Sequence, residues 1–299
     1  MKYILWIALV LVAAGFIFRE DLGPYLVAGK TTVSENGEKE NGEKKGKKER
    51  KGEQPSEVRI VKKWLLPEVL REVSGIAYLD AQRFATVQDE EGTIFIYNHA
   101  DGKIEKEIPF AGPGDYEDIA VANNTAYIVR SDGRLYEVPM QGEKKDVKEY
   151  STPLTVEHNV EGLFYDGANN RLLIAIKDDE PQTKDYKGIY AFNLTNNTFE
   201  EKTVYHIDMK EDMLKGSGKK KDTFRPSGLA IHPQSKELYV LDGPGARLLV
   251  MDANGKAKKI YNLGPDYPQA EGITFSPEGT LFISNEGKKQ GNIIQTGLP

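Results

Sequence analysis

The sequence predicts an all-β fold, a single β-propeller, and three of its features lead to that prediction. A short motif with Ser or Glu at the head of an apolar run occurs five times, at residues 74–78, 117–121, 161–165, 227–231 and 271–275. The first residues of the motif are spaced by 43, 44, 66 and 44 positions, and a repeat in the low forties is typical of propeller blades with four short strands. Within each repeat, apolar or β-branched runs alternate with turn residues, as expected for short strands.

The repeats predict a five-bladed ring. The fifth repeat supplies only three strands, at residues 271–275, 280–284 and 292–295. Apolar residues alternate along 58–66, a segment that precedes the first repeat and has no blade of its own. Because a closed ring leaves no exposed strand edge, we expect this N-terminal strand to complete the last blade. The third repeat is longer than the others, and an extra blade hidden within it would give a six-bladed ring instead.

Residues 1–28 are expected to form a membrane anchor or a signal segment. Residues 3–18 carry no charge and are followed directly by Arg19, Glu20 and Asp21, so their length is close to the minimum for a membrane-spanning helix. We favour an uncleaved anchor, because cleavage after the available small residues would leave an unusually short apolar core. The positive charge at the amino end places that end in the cytoplasm. The sequence therefore predicts a single-pass protein of the cell membrane, with the propeller on the extracytoplasmic side.

Composition divides the rest of the chain into a linker and a domain. Residues 29–57 are rich in Lys, Glu, Gly and Asn and poor in apolar side chains, a composition typical of disordered segments. Residues 58–299 then form the propeller domain. The absence of cysteine from the chain excludes thiolate metal ligands and a Cys nucleophile. The net charge of −6 and the lack of a basic stripe on the propeller argue against nucleic acid as a partner.

Propeller geometry predicts which polar side chains share one face of the ring. Because the strands of a blade are antiparallel, the heads of the first strands and the ends of the second strands emerge on the same face. The extra residues of the third repeat, at 178–187 and 210–224, also fall on that face. Loops presented by a rigid scaffold usually carry function, so we expect a ligand-binding rim there. Its candidate ligand-contacting residues are Arg130, His158, Lys177, Arg225, Asp242 and Asn285.

Three strand heads on this face are glutamates, namely Glu117, Glu161 and Glu271. Carboxylates that converge on one axis repel one another unless they are protonated, hydrated or bridged by a cation. Calcium accepts six to eight oxygen ligands in irregular geometry, so the sequence predicts a calcium site formed by these three residues. The alternative is a polar channel that only holds water. Lys177 and Arg130 would then either hold an anionic ligand or neutralise the carboxylates.

The repeated strings resemble the SdiA-regulated (YjiK-like) family of bacterial envelope proteins. The strings that carry the resemblance lie at residues 74–78, 115–120, 161–166, 225–233, 269–275 and 281–286. The resemblance covers essentially residues 58–299 and includes a preceding membrane segment. It implies a membrane-associated β-propeller in which Glu117, Glu161 and Glu271 match the family's acidic strand heads. It implies no established reaction, and the Lys-rich insertion at 210–222 departs from the family pattern.

These observations favour a binding module over an enzyme. We expect a propeller tethered outside the cytoplasmic membrane that presents its rim to a small molecule or to an envelope protein, with calcium at the tunnel mouth. The alternative is a metal-dependent esterase or lactonase, in which the ion polarises a carbonyl and generates hydroxide. The sequence assigns no catalytic residues, because it contains no P-loop, no dinucleotide-binding glycine motif after a strand and no HExxH motif.

Overall fold

Five four-stranded antiparallel sheets make up the computed structural model, which describes residues 57–142, 146–215 and 223–299. Each sheet is one blade of a propeller. The predicted membrane segment at 1–28 and the predicted linker, apart from its last residue, lie outside the described residues. Within those described ranges, no helix is long and apolar enough to cross a membrane.

Within the described residues, the regular structure consists of short strands and two 3₁₀ turns, at Glu68–Leu70 and Asp212–Leu214. In chain order the strands are β1 (Arg59–Leu65), β2 (Val73–Tyr78), β3 (Arg83–Gln88), β4 (Thr93–Asn98), β5 (Lys103–Pro109), β6 (Tyr116–Ala122), β7 (Thr125–Arg130), β8 (Leu135–Pro139), β9 (Lys148–Tyr150), β10 (Val160–Asp166), β11 (Arg171–Ile176), β12 (Tyr186–Asn193), β13 (Thr198–Asp208), β14 (Pro226–Ile231), β15 (Leu238–Asp242), β16 (Arg247–Met251), β17 (Ala257–Asn262), β18 (Ala270–Phe275), β19 (Leu281–Asn285) and β20 (Asn292–Gly297).

The blades follow one another in chain order around an axis. Strands β2–β5, β6–β9, β10–β13 and β14–β17 form the first four blades, and β18–β20 form the fifth together with β1, which pairs antiparallel with β20. The innermost strands β2, β6, β10, β14 and β18 contact one another in a closed cycle. The number of sheets confirms the five-bladed ring, and the six-bladed alternative is wrong.

The extra residues of the third repeat lengthen its blade instead of adding another. Strands β12 and β13 contain eight and eleven residues, the longest in the described part of the chain. A loop at residues 177–185 follows β11, and a second connection, which contains Asp212–Leu214, leads from β13 to β14. The loop after β11 and the described ends of the second connection lie on the face of the strand heads, as predicted.

Hydrogen bonds from short polar side chains connect neighbouring blades near the axis. The Ser74 hydroxyl donates to the Tyr116 carbonyl at 2.7 Å, and the Ser227 hydroxyl donates to the Ala270 carbonyl at 2.7 Å. The Ser284 hydroxyl donates to the Ser74 carbonyl at 3.0 Å, which joins the fifth blade to the first. The serine strand heads, Ser74 and Ser227, therefore connect neighbouring blades.

The second residue of the motif lies where adjacent innermost strands approach most closely. A Cβ on Gly228 would lie 2.5 Å from the Glu271 carbonyl oxygen, and one on Gly272 would lie 2.8 Å from the Ile76 nitrogen. Only the second repeat has a side chain there, Asp118, which is 1 % exposed. Its carboxylate accepts from the Leu163 amide of the third blade at 2.7 Å. Close packing between adjacent blades therefore explains why the second residue of the motif is glycine in four of the five repeats.

Apolar side chains fill the spaces between adjacent blades. One cluster joins Ala85 and Ile94 of the first blade to Ile119 and Ile128 of the second. Similar clusters lie between the other blades. Burial of apolar surface stabilises the fold by roughly 25 cal/mol per Å², so the ring provides a rigid frame for the loops at its two ends.

Candidate functional site

Every innermost strand has an irregularity at its head, and this irregularity sets the direction of the motif's first residue. The pairing register shifts between Val73 and Ile76, Tyr116 and Asp118, Val160 and Gly162, Pro226 and Gly228, and Ala270 and Ile273. A β-bulge bends a strand and re-aims a side chain, and bulges are frequent beside functional sites. Each Ser or Glu of the motif lies within one of these shifts.

Glu161 and Lys177 form the centre of the site. The Lys177 ammonium, directly after β11, donates to the Glu161 carboxylate at 2.9 Å. Glu161 is 3 % exposed, and the Lys177 side chain is 19 % exposed. Although burial alone lowers the pKa of Lys177, the nearby carboxylates of Glu161, Glu271 and Glu117 hold it above its ordinary value. Lys177 is therefore a cation shared by three glutamates from three blades.

The charge of Glu161 acts on both of the other glutamates. Burial raises the pKa of Glu117 far above its ordinary value, and the neighbouring Glu161 and Asp115 raise it further. Burial, followed by the charge of Glu161, raises the pKa of Glu271 to about 8. Burial also raises the pKa of Glu161, while Lys177 opposes that increase. We call Glu117, Glu161, Glu271 and Lys177 the acidic mouth.

Further carboxylates surround the acidic mouth on the side of the first and fifth blades. Burial raises the pKa of Asp89 to about 6, and the charges of Glu72 and Glu286 contribute to the increase. The buried Oδ1 of Asp89 has no hydrogen-bond partner among the described residues. Asp89 and Glu286 also raise the pKa of Glu271. The electrostatic field of the mouth therefore favours positive charge.

Two arginines predicted at the rim are engaged with neighbouring aspartates. The Arg130 Nε donates to Asp132 Oδ1 at 2.9 Å, and the same guanidinium donates to the Tyr136 hydroxyl at 3.3 Å. Arg225 donates to Asp178 Oδ1 at 2.8 Å, with both side chains partly exposed. Among the charges that act on Glu161, Arg225 is one that lowers its pKa. Arg225 therefore contributes positive charge to the surroundings of Glu161.

Three other predicted rim residues make contacts within their own blade or turn. Asp242 is completely buried, and its carboxylate accepts from Arg247 Nε at 2.7 Å. Asn285 is also completely buried, and its amide donates to Asn292 Oδ1 at 3.2 Å. His158 Nδ1 accepts from the Thr155 amide at 3.1 Å, which stabilises the turn before β10. The structure thus gives these three side chains local structural contacts.

The side chains as they stand do not form a metal cage. Within residues 57–142, 146–215 and 223–299, no group of three or more His, Asp or Glu side chains is arranged to hold a metal ion. The cation that Glu161 contacts is the Lys177 ammonium. A divalent ion at the acidic mouth would therefore have to compete with this ammonium and with the protons on Glu117 and Glu271.

Sequence reasoning missed the direct pairing of Lys177 with Glu161. It named Lys177 and Arg130 together as side chains that hold an anionic ligand or neutralise the carboxylates, although only Lys177, directly after β11, is aligned with the glutamate at the head of β10. A Lys at the end of a second strand, next to a Glu at the head of a first strand, is the signal that would have identified the pair.

Fold and site together define a five-bladed β-propeller with an acidic, lysine-centred opening. The SdiA-regulated family profile matches residues 50–289, and the chain belongs to this family. Among solved structures, the chain is similar to glutaminyl cyclase from Myxococcus xanthus, with 12 % identity, a TM-score of 0.56, and coverage of 81 % of this chain and 97 % of that chain. It is also similar to a protein of unknown function from Bacteroides thetaiotaomicron, with 8 % identity, a TM-score of 0.50, and coverage of 82 % and 73 %. At these identities the similarity establishes the fold alone.

Proposed function

We propose that this protein is a binding module that takes a cation or a cationic ligand at the acidic mouth. One observation carries the proposal: three glutamates from three blades share the single ammonium of Lys177. Such a grouping is costly unless positive charge or protons compensate it. If the axis needed only a polar lining, serine would suffice at every strand head, as it does in the first and fourth repeats.

The raised pKa values indicate how a cation would enter. Burial raises the pKa values of Glu117 and Glu271, so both carboxyl groups favour the protonated form more than exposed glutamates do. A cation that approaches these carboxylates displaces the protons and gains the attraction of the ionised groups. Calcium is the ion that we propose first, because it tolerates irregular oxygen ligands and bound water. Glu117, Glu161 and Glu271 would hold it, with Glu161 released from Lys177.

Thermal unfolding of the full-length protein tests this proposal. A ligand that binds only the native state at 100 times its Kd stabilises that state by about 2.7 kcal/mol, so calcium should raise Tm by several degrees. Glu161→Gln should abolish the increase. Glu237→Gln, which removes a carboxylate remote from the acidic mouth, should retain it. An unchanged Tm for the wild-type protein in millimolar calcium would contradict calcium binding.

A metal-dependent esterase or lactonase is the second candidate, and the protonated glutamates are the observation that favours it. A carboxyl group with a raised pKa beside an ionised one is a frequent arrangement for general acid–base catalysis. Glu117 would donate a proton while Glu161 remains paired with Lys177. The similarity to glutaminyl cyclase does not add to this argument, because it concerns the fold alone.

Turnover distinguishes the two candidates. Esters, lactones and phosphate esters would be offered to the wild-type protein and to Glu161→Gln, with and without calcium. Calcium-dependent hydrolysis that is lost in the variant would overturn the binding-module proposal in favour of the hydrolase. Calcium binding without turnover would support the binding module.

The proposed location is the extracytoplasmic side of the cell membrane. The support is the uncharged stretch at residues 3–18 and the positive charge that precedes it. Trypsin added to intact spheroplasts should cleave the Lys-rich linker and release the propeller. Protection of the propeller from trypsin until the cells are lysed would contradict this location.

A further inference from the structure

A cavity lies at the end of the ring opposite to the acidic mouth. It has a volume of about 700 Å³ and is lined by the tails of four innermost strands and by the turns that follow them. Its lining includes Tyr78, Tyr165, Ile231 and Phe275, which are the last residues of the repeated motif in the first, third, fourth and fifth blades. Cavities that bind small molecules typically measure about 300 to 1,000 Å³, so this one has a suitable size.

Aromatic rings form several walls of the cavity and are held by other rings. Tyr78 stacks on Phe282 with ring centroids 5.9 Å apart. Phe275 meets Tyr239 edge to face at 5.1 Å. Because these contacts fix the rings before a ligand arrives, binding requires little ordering of side chains.

The turns at the edge of the cavity are likewise connected to one another. The Gln234 amide of the fourth blade donates to the Pro277 carbonyl of the fifth blade at 2.6 Å. Within the third blade, the Asn169 amide donates to the Asp166 carboxylate at 2.7 Å. The cavity is therefore a preformed feature of the ring.

The polar groups of the lining are mostly neutral. The Asp166 carboxylate is neutralised by Arg171, whose Nε donates to it at 2.9 Å. Within the described residues, the hydroxyls of Tyr78 and Tyr205 make no side-chain hydrogen bond, so both remain available. The ammonium of Lys236 lies at the edge and donates to the Pro233 carbonyl at 2.6 Å. This lining favours a neutral ligand that offers hydroxyl groups together with an apolar face.

We infer that this cavity binds a neutral saccharide. A sugar ring presents C–H groups on its faces and hydroxyls at its edges, which matches aromatic walls that carry free hydroxyls. The apolar faces of the sugar would pack against the aromatic rings of Tyr78, Tyr165 and Phe275. The hydroxyls of Tyr78 and Tyr205 would form hydrogen bonds with the hydroxyl groups at the edge of the sugar. This site is separate from the acidic mouth and does not depend on the function proposed for it.

Saturation-transfer NMR of the full-length protein with neutral di- and trisaccharides of glucose, galactose, mannose and N-acetylglucosamine tests the inference. At least one saccharide should bind, and calorimetry should then give its Kd. Ala253→Trp should fill the cavity from an exposed turn, and Tyr165→Ala should remove one wall; each should weaken binding at least tenfold. Tyr186→Ala, on the same blade but outside the cavity, should leave the Kd unchanged.

Two results would overturn the inference. The first is the absence of binding by every saccharide in the panel at 10 mM, a concentration at which about half of the sites are occupied when Kd is 10 mM. The second is binding that survives both Ala253→Trp and Tyr165→Ala, which would place the saccharide elsewhere. Because Ala253 lies on the surface and its replacement leaves the core intact, a folded Ala253→Trp protein keeps the test decisive if Tyr165→Ala fails to fold.

Discussion

Single residues at the heads of the innermost strands have two distinct roles. Ser74 and Ser227 donate to backbone carbonyls of the next blade, whereas Glu161 pairs with Lys177 and interacts with Glu117 and Glu271. The same motif position therefore connects blades when it is serine and contributes charge to the mouth when it is glutamate. Because all strand heads lie at the same end of the axis, the glutamates among them concentrate carboxylates at that end.

Glu271 should make the stability of the protein depend on pH. The folded protein keeps the Glu271 proton up to about pH 8, whereas the unfolded chain loses it near the ordinary value of 4.5. The unfolded state therefore binds fewer protons between these values, so the free energy of unfolding falls as pH rises from about 4.5 to about 8. Denaturant titrations of Glu271→Gln should show a weaker fall, and the variant should exceed the wild type by about 1 to 2 kcal/mol at pH 8.

Glu237→Gln provides a control of opposite sign. The hydrogen bond from Lys258 lowers the pKa of Glu237, so this carboxylate stabilises the fold at neutral pH and loses that effect as pH falls. Its replacement should not increase stability at pH 8. An equal pH dependence in Glu271→Gln and the wild type would contradict the raised pKa of Glu271.

At the scale of the strand, a glycine after the head residue permits the innermost strands to approach. Gly228→Ala would place a Cβ 2.5 Å from the Glu271 carbonyl oxygen of the next blade. Because this contact is with backbone, relief requires the two strands to separate, and we expect a loss of about 2 to 3 kcal/mol. Chemical denaturation measures the loss.

Gly112→Ala is the matched control for this substitution. No atom lies within 4 Å of the position that a Cβ on Gly112 would occupy, and the backbone there has an ordinary φ. The change should alter the free energy of unfolding by less than about 1 kcal/mol. Equal effects of the two substitutions would show that the innermost strands are not closely packed at Gly228.

At the scale of the whole molecule, the repeat spacing was sufficient to predict the five-bladed ring. The burial of Asp242 could not be predicted from its position in the repeat. Asp242 ends the second strand of its blade and Lys177 follows the second strand of another blade, yet only Lys177 contacts Glu161. Asp242 can be buried because it forms an ion pair with Arg247 across the β15–β16 hairpin. The cavity at the opposite end could not be predicted either, because it depends on the sizes of side chains in several turns and strand periodicity carries no information on those sizes.

The acidic mouth, as we propose it, holds protons that a cation can replace. Calcium titration of the full-length protein in weakly buffered solution at pH 7, followed with a pH electrode, measures this exchange directly. We expect release of about one proton per bound calcium ion, with less release from Glu271→Gln. Calcium binding without proton release, or the same release from Glu271→Gln as from the wild type, would show that the mouth does not exchange protons for a cation.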